Sequence, residues 1–235
     1  MKITSTQNEV IKSLHKLKQK KHRDATQEVL IEGEHMVEEA MKQGLVIKTY
    51  GLEEADVLID EKVAEKLSMT SSGSKIFAHI RKPNHKLEKG TRYLICDGVQ
   101  DPGNVGTMIR TAHSFGFDAV ILSLDSADAY NDKTLRSTQG AIFHIPVLSM
   151  DLKEAYIALK EMGVTLLATD VNAGAKTLQT VDTSKSLGII MGSEGKGVRD
   201  FSLSMADDNL FIETRHFESL NVSVASGIIL YTLRK

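Results

Sequence analysis

The stretch from Leu94 to Leu122 constrains this chain more than any other. Leu94, Ile95 and Cys96 form a short apolar run of the kind a buried strand shows, and Asp97 to Gly106 is turn chemistry. From Pro102 onward Val105, Met108, Ile109, Ala112 and Phe115 recur at helical spacing, so one face of a helix is apolar. Asp101 fits the N-cap with Pro102 at the first helical position, Gly116 ends the helix, and Ala119 to Leu122 reads as the next strand. The unit is strand, loop, helix, strand, with its polar residues gathered at a strand's carboxyl end, where ligands bind in open α/β sheets. Gly98, Gly103 and Gly106 would let a ligand approach the backbone, and Arg110 lies off the apolar stripe. With Asn104 in the loop, Arg110 is available to something outside the core; a solvated surface arginine is the other reading.

The pattern returns further on. Leu152 to Met162 is a helix, Val164 to Thr169 a strand, and Leu187 to Met191 another short, almost continuous apolar strand. Such strands alternating with helices predict a parallel sheet covered on both faces. The last strand runs into Gly192-Ser-Glu-Gly-Lys-Gly-Val198, a glycine-rich loop carrying a carboxylate. Glu194 would repel an anion, and the phosphate-loop and dinucleotide patterns are missing. A neutral or positive ligand suits the loop better, unless it is only a turn. Leu210 to Ile212 reads as a strand, and Ser219 or Asn221 caps a helix from Leu220 to Leu233 that is apolar on almost every side. That helix belongs in deep core or at a subunit interface.

Ahead of this lies a smaller α/β layer. Residues 5 to 23 read as one amphipathic helix with Val10, Ile11, Leu14 and Leu17 inside. Lys12, Lys16, Lys18, Lys20, Lys21 and Arg23 surround that stripe, with no acidic residue between Lys12 and Arg23. On a chain of net charge −2 the run is either a solvated face or a contact for a phosphate backbone. Strands follow at 28–33, 46–50, 57–59 and 75–80, with helices at 34–43 and 61–67. Residues 81–90 are polar, contain Pro83 and Gly90, and read as a linker, which divides the 235 residues into 1–87 and 88–235. The single cysteine, Cys96, sits in an apolar run, and there is no metal-ligand spacing. No apolar run is long enough to span a bilayer, so the expected location is the cytoplasm.

Three stretches together carry a resemblance. Asp101-Pro-Gly-Asn-Val-Gly, with Arg110-Thr-Ala and Phe115-Gly, resembles motif 1 of the SpoU family of RNA 2′-O-ribose methyltransferases, in the SPOUT superfamily. Gly192-Ser-Glu-Gly-Lys-Gly resembles motif 2, and Ser219-Leu-Asn-Val-Ser-Val-Ala resembles motif 3, in the family's order. The first ninety residues are similar to the RNA substrate-binding domain that often precedes such a catalytic domain.

The resemblance implies S-adenosylmethionine as methyl donor, a 2′-hydroxyl of structured RNA as acceptor, a homodimer, and a C-terminal trefoil knot. Pattern reasoning would not have proposed the knot. By the same resemblance Arg110, Asn104, Glu194, Ser219 and Asn221 form the catalytic set. Gly192, Gly195, Ile212 and Leu220 border the cofactor; no metal is implied. The N-terminal resemblance favours ribosomal over transfer RNA, and the basic run makes Lys12, Lys16, Lys20, Lys21 and Arg23 the candidates for RNA contact. The chain departs from the pattern at Ile212-Glu-Thr-Arg-His-Phe-Glu218, which lacks the family's proline and glycine and is one residue shorter. A non-catalytic RNA-binding protein on the same scaffold is therefore a second reading, and a transfer-RNA ribose methyltransferase another.

Overall fold

The computed structural model describes residues 2–170, 175–215 and 220–235. The first part runs β1 (Lys2–Ile3), α1 (Glu9–Lys16), α2 (Lys20–Thr26), β2 (Glu28–Glu32), α3 (Glu34–Lys42), β3 (Val46–Gly51), β4 (Val57–Ile59), α4 (Glu61–Leu67) and β5 (Ile76–Arg81). Its five strands form one mixed sheet in the order β1-β4-β3-β5-β2. Ile11, Leu14 and Leu17 pack with Tyr50, Val63, Leu67 and Phe77 on one side of it. The basic stretch is two helices rather than the single one expected. Asn8 caps α1, whose last turn closes at Leu17, and α2 begins only after Gln19 adopts an extended conformation.

The second part is β6 (Arg92–Asp97), α5 (Pro102–Ser114), β7 (Ala119–Ser123), α6 (Asp132–Thr138), β8 (Val147–Met150), α7 (Leu152–Glu161), β9 (Thr165–Thr169), β10 (Lys176–Thr177), β11 (Leu187–Gly192), α8 (Asp200–Met205), β12 (Asp208–Phe211) and α9 (Val222–Leu233). Seven strands pair in the order β10-β12-β9-β11-β6-β7-β8, every ladder parallel. The expectation of a parallel sheet covered on both faces holds. Side chains alternate along β6: Leu94 and Cys96 face α5 and α9, while Tyr93 and Ile95 face α7. Both central strands, β6 and β11, are buried throughout, which is why residues 94–96 and 187–191 read as short apolar runs.

The chain passes outward from β6 through β7 to β8 and then returns to the far side of β11. The crevice between the carboxyl ends of β6 and β11 is thus a topological switch point, the place such sheets bind ligands.

The two sheets share an apolar core. Val29, Ile31, Met36, Val37 and Ala40 belong to one buried cluster with Leu135, Ile142 and Phe143 from the second part. Polar contacts border this joint: His144 and Glu39 pair at 2.6 Å, and Arg23 pairs with Asp128.

Candidate active site

The loop after β6 is fixed by the start of α5. Asp101 stands at the N-cap, and its Oδ1 accepts the N–H of Asn104 at 2.9 Å. Its other oxygen takes the ammonium of Lys133 at 2.7 Å. Lys133 and the Asn104 N–H hold the Asp101 carboxyl below the usual range, so both oxygens are committed to structure. The cap turns Asn104 toward the loop that follows β11. There the Glu194 carboxylate accepts from Asn104 Nδ2 at 2.9 Å, from Asp101 N–H at 3.2 Å and from Gln100 N–H at 3.3 Å. Burial pushes the Glu194 carboxyl up, but the donors from Asn104, Gln100 and Asp101 outweigh it and hold the group below its ordinary value.

Asn104 completes the constellation with its other end. Its Oδ1 accepts from Asn221 Nδ2 at 3.2 Å. Asn221 is the N-cap of α9, its own Oδ1 accepting from Ser223 N–H at 2.9 Å and Val224 N–H at 3.3 Å. One asparagine amide therefore links segments 90 and 117 residues away. Of the two caps expected for the last helix, Asn221 serves; Ser219 lies outside the described residues, as do His216 to Glu218.

Arg110 is not part of this cluster. It lies six residues beyond Asn104 along α5, about 9 Å further up the axis, and is exposed. Among the described residues nothing forms a hydrogen bond or ion pair with its guanidinium. Gly192 closes β11 where a Cβ would stand 2.0 Å from both Gly197 C and Val198 N, so the loop can fold back only over glycine. Ser193 and Gly197 then exchange N–H···O bonds of 3.0 Å. Gly195, at the tip, has nothing within 4 Å of a Cβ position. Ile212 is half-buried and Leu220 is 40 % exposed. Among the described residues, no group of three or more His, Cys, Asp or Glu is placed to hold a metal ion.

Two expectations need correction. Gly106 does not receive a ligand: a Cβ there would meet Ser137 Cβ and Thr134 O at 2.5 Å, so the space is taken by α6. Arg23 is not on the solvent face with Lys16, Lys20 and Lys21. It is 5 % exposed, its Nη1 donates to Leu17 O at 2.9 Å and Lys18 O at 2.8 Å, and its Nη2 pairs with Asp128. The guanidinium is spent on the joint between the two sheets. Lys12 is partly covered and pairs with Glu9 at 2.9 Å.

Sequence reasoning missed two arginines. Arg92 is 1 % exposed and donates to four carbonyls, including Leu233 O at 2.6 Å, which anchors the end of α9. Arg199 pairs with Asp97, the fully buried last residue of β6. The one signal for the second pair was a carboxylate directly after the apolar run of Leu94, Ile95 and Cys96.

Comparison with known proteins places this geometry. Residues 91–231 match the SpoU rRNA Methylase family, and residues 8–82 match the MRM3-like substrate binding domain. The chain is 40 % identical to the 23S rRNA (guanosine(2553)-2′-O)-methyltransferase RlmP of Bacillus subtilis, over 99 % of this chain and 98 % of that protein. It is 40 % identical over 62 % of its length to the 23S rRNA (guanosine-2′-O-)-methyltransferase RlmB of Bordetella pertussis, spanning 60 % of that protein. Among solved structures, an AdoMet-bound rRNA methyltransferase from Sinorhizobium meliloti superposes with a TM-score of 0.88 at 29 % identity, covering 99 % of this chain and 97 % of that one. A family model that spans the site, and a relative matched from end to end, have one reading: this chain belongs to the SpoU rRNA methylase family.

Proposed function

We propose that this chain is an S-adenosylmethionine-dependent 2′-O-ribose methyltransferase acting on structured ribosomal RNA. The observation that carries the proposal is the Asn104 amide. It holds Glu194 and Asn221 at once and so joins the three motif segments at the switch point of the sheet.

The residues present fit the cofactor. Gly195 offers bare backbone, Leu220 an exposed apolar side chain, and Ile212 a half-buried one. When bound, S-adenosylmethionine supplies a methyl group that is already activated. What remains for the protein is to hold a ribose hydroxyl in line and assist loss of its proton. Arg110, exposed and unpaired among the described residues, suits a bidentate grip on an RNA phosphate. It suits proton abstraction poorly, since a guanidinium keeps its proton and has no lone pair to accept another. Glu194 keeps its charge and serves Asn104, Gln100 and Asp101 rather than acting as the base. The 2′-hydroxyl acceptor accounts for RNA over DNA.

In this reading residues 1–87 bind substrate RNA and 88–235 form the catalytic domain. Lys16, Lys20 and Lys21 lie on the outer side of the first two helices, where they would meet phosphates. The active form is a homodimer. Val224, Ile228 and Tyr231 remain 52 %, 39 % and 55 % exposed at i, i+4 and i+7 on α9, an apolar stripe that a second copy would cover. In the same reading the C-terminal part of the chain carries the trefoil knot of the superfamily. The compartment is the cytoplasm, in keeping with a lone buried thiol.

The test is calorimetric titration with S-adenosylmethionine and S-adenosylhomocysteine, followed by labelled methyl transfer to unmodified ribosomal and transfer RNA. Micromolar binding with ribose-specific transfer to ribosomal RNA is expected. Binding without transfer to any RNA would favour the non-catalytic scaffold, and transfer confined to transfer RNA would overturn the substrate.

A further inference from the structure

Glu194 sits in a loop that must stay closed against Asn104 in the first turn of α5, although its own bonds across the gap are few and exposed. The loop is pinned at one end by the mutual bonds of Ser193 and Gly197. At the other end stands Arg199, whose backbone N–H donates to Asp97 Oδ2 at 3.0 Å and whose guanidinium pairs with Asp97 Oδ1. Asp97 is the last residue of β6, and the next four residues lead to the cap of α5. The same guanidinium reaches Asp125 Oδ2 with Nη1 at 3.1 Å, in the loop after β7. That loop returns to motif 1 through Asp125 O, which accepts Gln100 Nε2 at 2.6 Å, and Gln100 N–H in turn donates to Glu194. Arg199 thus ties the ends of three strands, β6, β7 and β11, behind the reacting surface.

The energetics favour this tie over an ordinary surface ion pair. The Asp97 side chain is 0 % exposed, and a buried carboxylate without its cation is strongly unfavourable. The Arg199 side chain is 46 % exposed because its second arm reaches out to Asp125, itself 58 % exposed. One pair is therefore buried and obligatory, the other peripheral.

We propose that Arg199 is a positioning residue for methyl transfer. By neutralising buried Asp97 and holding Asp125 it keeps the Glu194 loop closed on Asn104. The inference rests on the methyltransferase reading for its kinetic consequence and on geometry alone for its structural one, so the two fail separately.

The structural arm is amide hydrogen exchange of the cofactor-free protein. In Arg199→Ala the amides of Gln100 and Asp101, which donate to Glu194, exchange at least about tenfold faster, while those of β6 and β11 keep their protection. The kinetic arm compares variants at saturating RNA and cofactor. Arg199→Ala lowers kcat by roughly 10- to 100-fold, with the cofactor Kd within about threefold. Arg199→Lys, which can serve Asp97 but not both carboxylates, recovers most of the loss. Asp125→Asn, which leaves the buried pair intact, gives a smaller loss and keeps the proposal testable should the alanine variant not fold. Unchanged exchange at Gln100 and Asp101 in Arg199→Ala would overturn the inference. So would a kcat equal to that of the wild type, or a lysine variant no better than alanine. A wild-type protein that transfers no methyl group while Arg199→Ala still loosens those amides would instead overturn the reading of the function.

Discussion

Asn104 donates to Glu194 at 2.9 Å and accepts from Asn221 at 3.2 Å, so a single amide fixes the relation between the two residues that flank the candidate site. A carboxamide can do this because it carries a donor and an acceptor on one planar group. Replacing Asn104 by alanine removes both bonds and leaves Glu194 with backbone donors alone. Transfer is expected to fall by about 100-fold, the size of loss a misplacement of about 1 Å produces, with a much smaller change in cofactor affinity. Asn104→Asp should be worse than alanine, because it sets a second carboxylate against Glu194. Single-turnover kinetics with calorimetry on both variants checks this, and an aspartate variant faster than alanine would contradict the orientation described.

Gly192 allows a second prediction. A Cβ there would stand 2.0 Å from backbone atoms of Gly197 and Val198, and backbone cannot swing aside as a side chain can. Gly192→Ala should therefore open the 193–198 loop. Overpacking of this kind costs about 1–3 kcal/mol. Here the cost is expected as lost binding of S-adenosylmethionine more than as lost fold, since β11 is held by ladders on both sides. Gly195→Ala, with open space around it, is the control for the fold alone and should leave stability unchanged. Thermal melts and calorimetry on the two variants decide the point.

Much of this was legible in the sequence, and what was not has a physical reason. The unit from β6 to β7 follows from apolar periodicity, and the Asp101 and Asn221 caps from local chemistry, because the forces that set them act within a few residues. Arg23 looks no different from Lys20 and Lys21 in sequence. Its partner Asp128 is 105 residues away, and only the docking of the two sheets makes it a joint. Asp97 and Arg199 are 102 residues apart and meet because β6 and β11 are neighbours, a fact about strand order that no local pattern encodes. Gly106 reads like Gly98 until α6 is seen packed against it. The apparent continuity of the first helix arose because Leu17 keeps the apolar period of Ile11 and Leu14 while its backbone already closes α1.

The clasp should respond to acid in a defined direction. Burial raises the Glu194 carboxyl, the donors outweigh it, and the net folded value lies below the ordinary one. A group depressed on folding contributes stability that is fully present above its unfolded value, about 4.3. That contribution is lost as pH falls through the folded value. Asp101, held down by Lys133 and the Asn104 N–H, acts with the same sign in the facing loop after β6. Acidification below about pH 4 should therefore release the amides of Gln100 and Asp101, while raising the pH from neutrality should leave them unaffected through these groups. Glu194→Gln keeps an acceptor for Asn104 and removes one titration, so it should shift the release to the response of Asp101 alone. Amide exchange followed across pH measures this, and loosening on the alkaline side of neutrality that Glu194→Gln abolishes would sink it.

The basic N-terminal helices separate two roles that their sequence merges. Lys16, Lys20 and Lys21 are exposed, and if each meets one RNA phosphate, its replacement by alanine should reduce the slope of log affinity against log salt by about 0.7–0.9. Protein stability should stay within about 0.5 kcal/mol. Arg23→Ala should do the reverse. It leaves Asp128 without its cation and two carbonyls, Leu17 O and Lys18 O, without their donor at the joint between the sheets. Breaking a buried pair from one side costs about 3–5 kcal/mol, with the RNA salt slope of the remaining folded protein unchanged. Arg23→Lys should recover only part of that loss, because an ammonium cannot reproduce the fork that reaches both carbonyls and the carboxylate. Denaturant unfolding and salt-dependent RNA binding on the same set of variants distinguish the two roles. An Arg23→Ala protein of wild-type stability with a shallower salt slope would return that residue to the RNA surface.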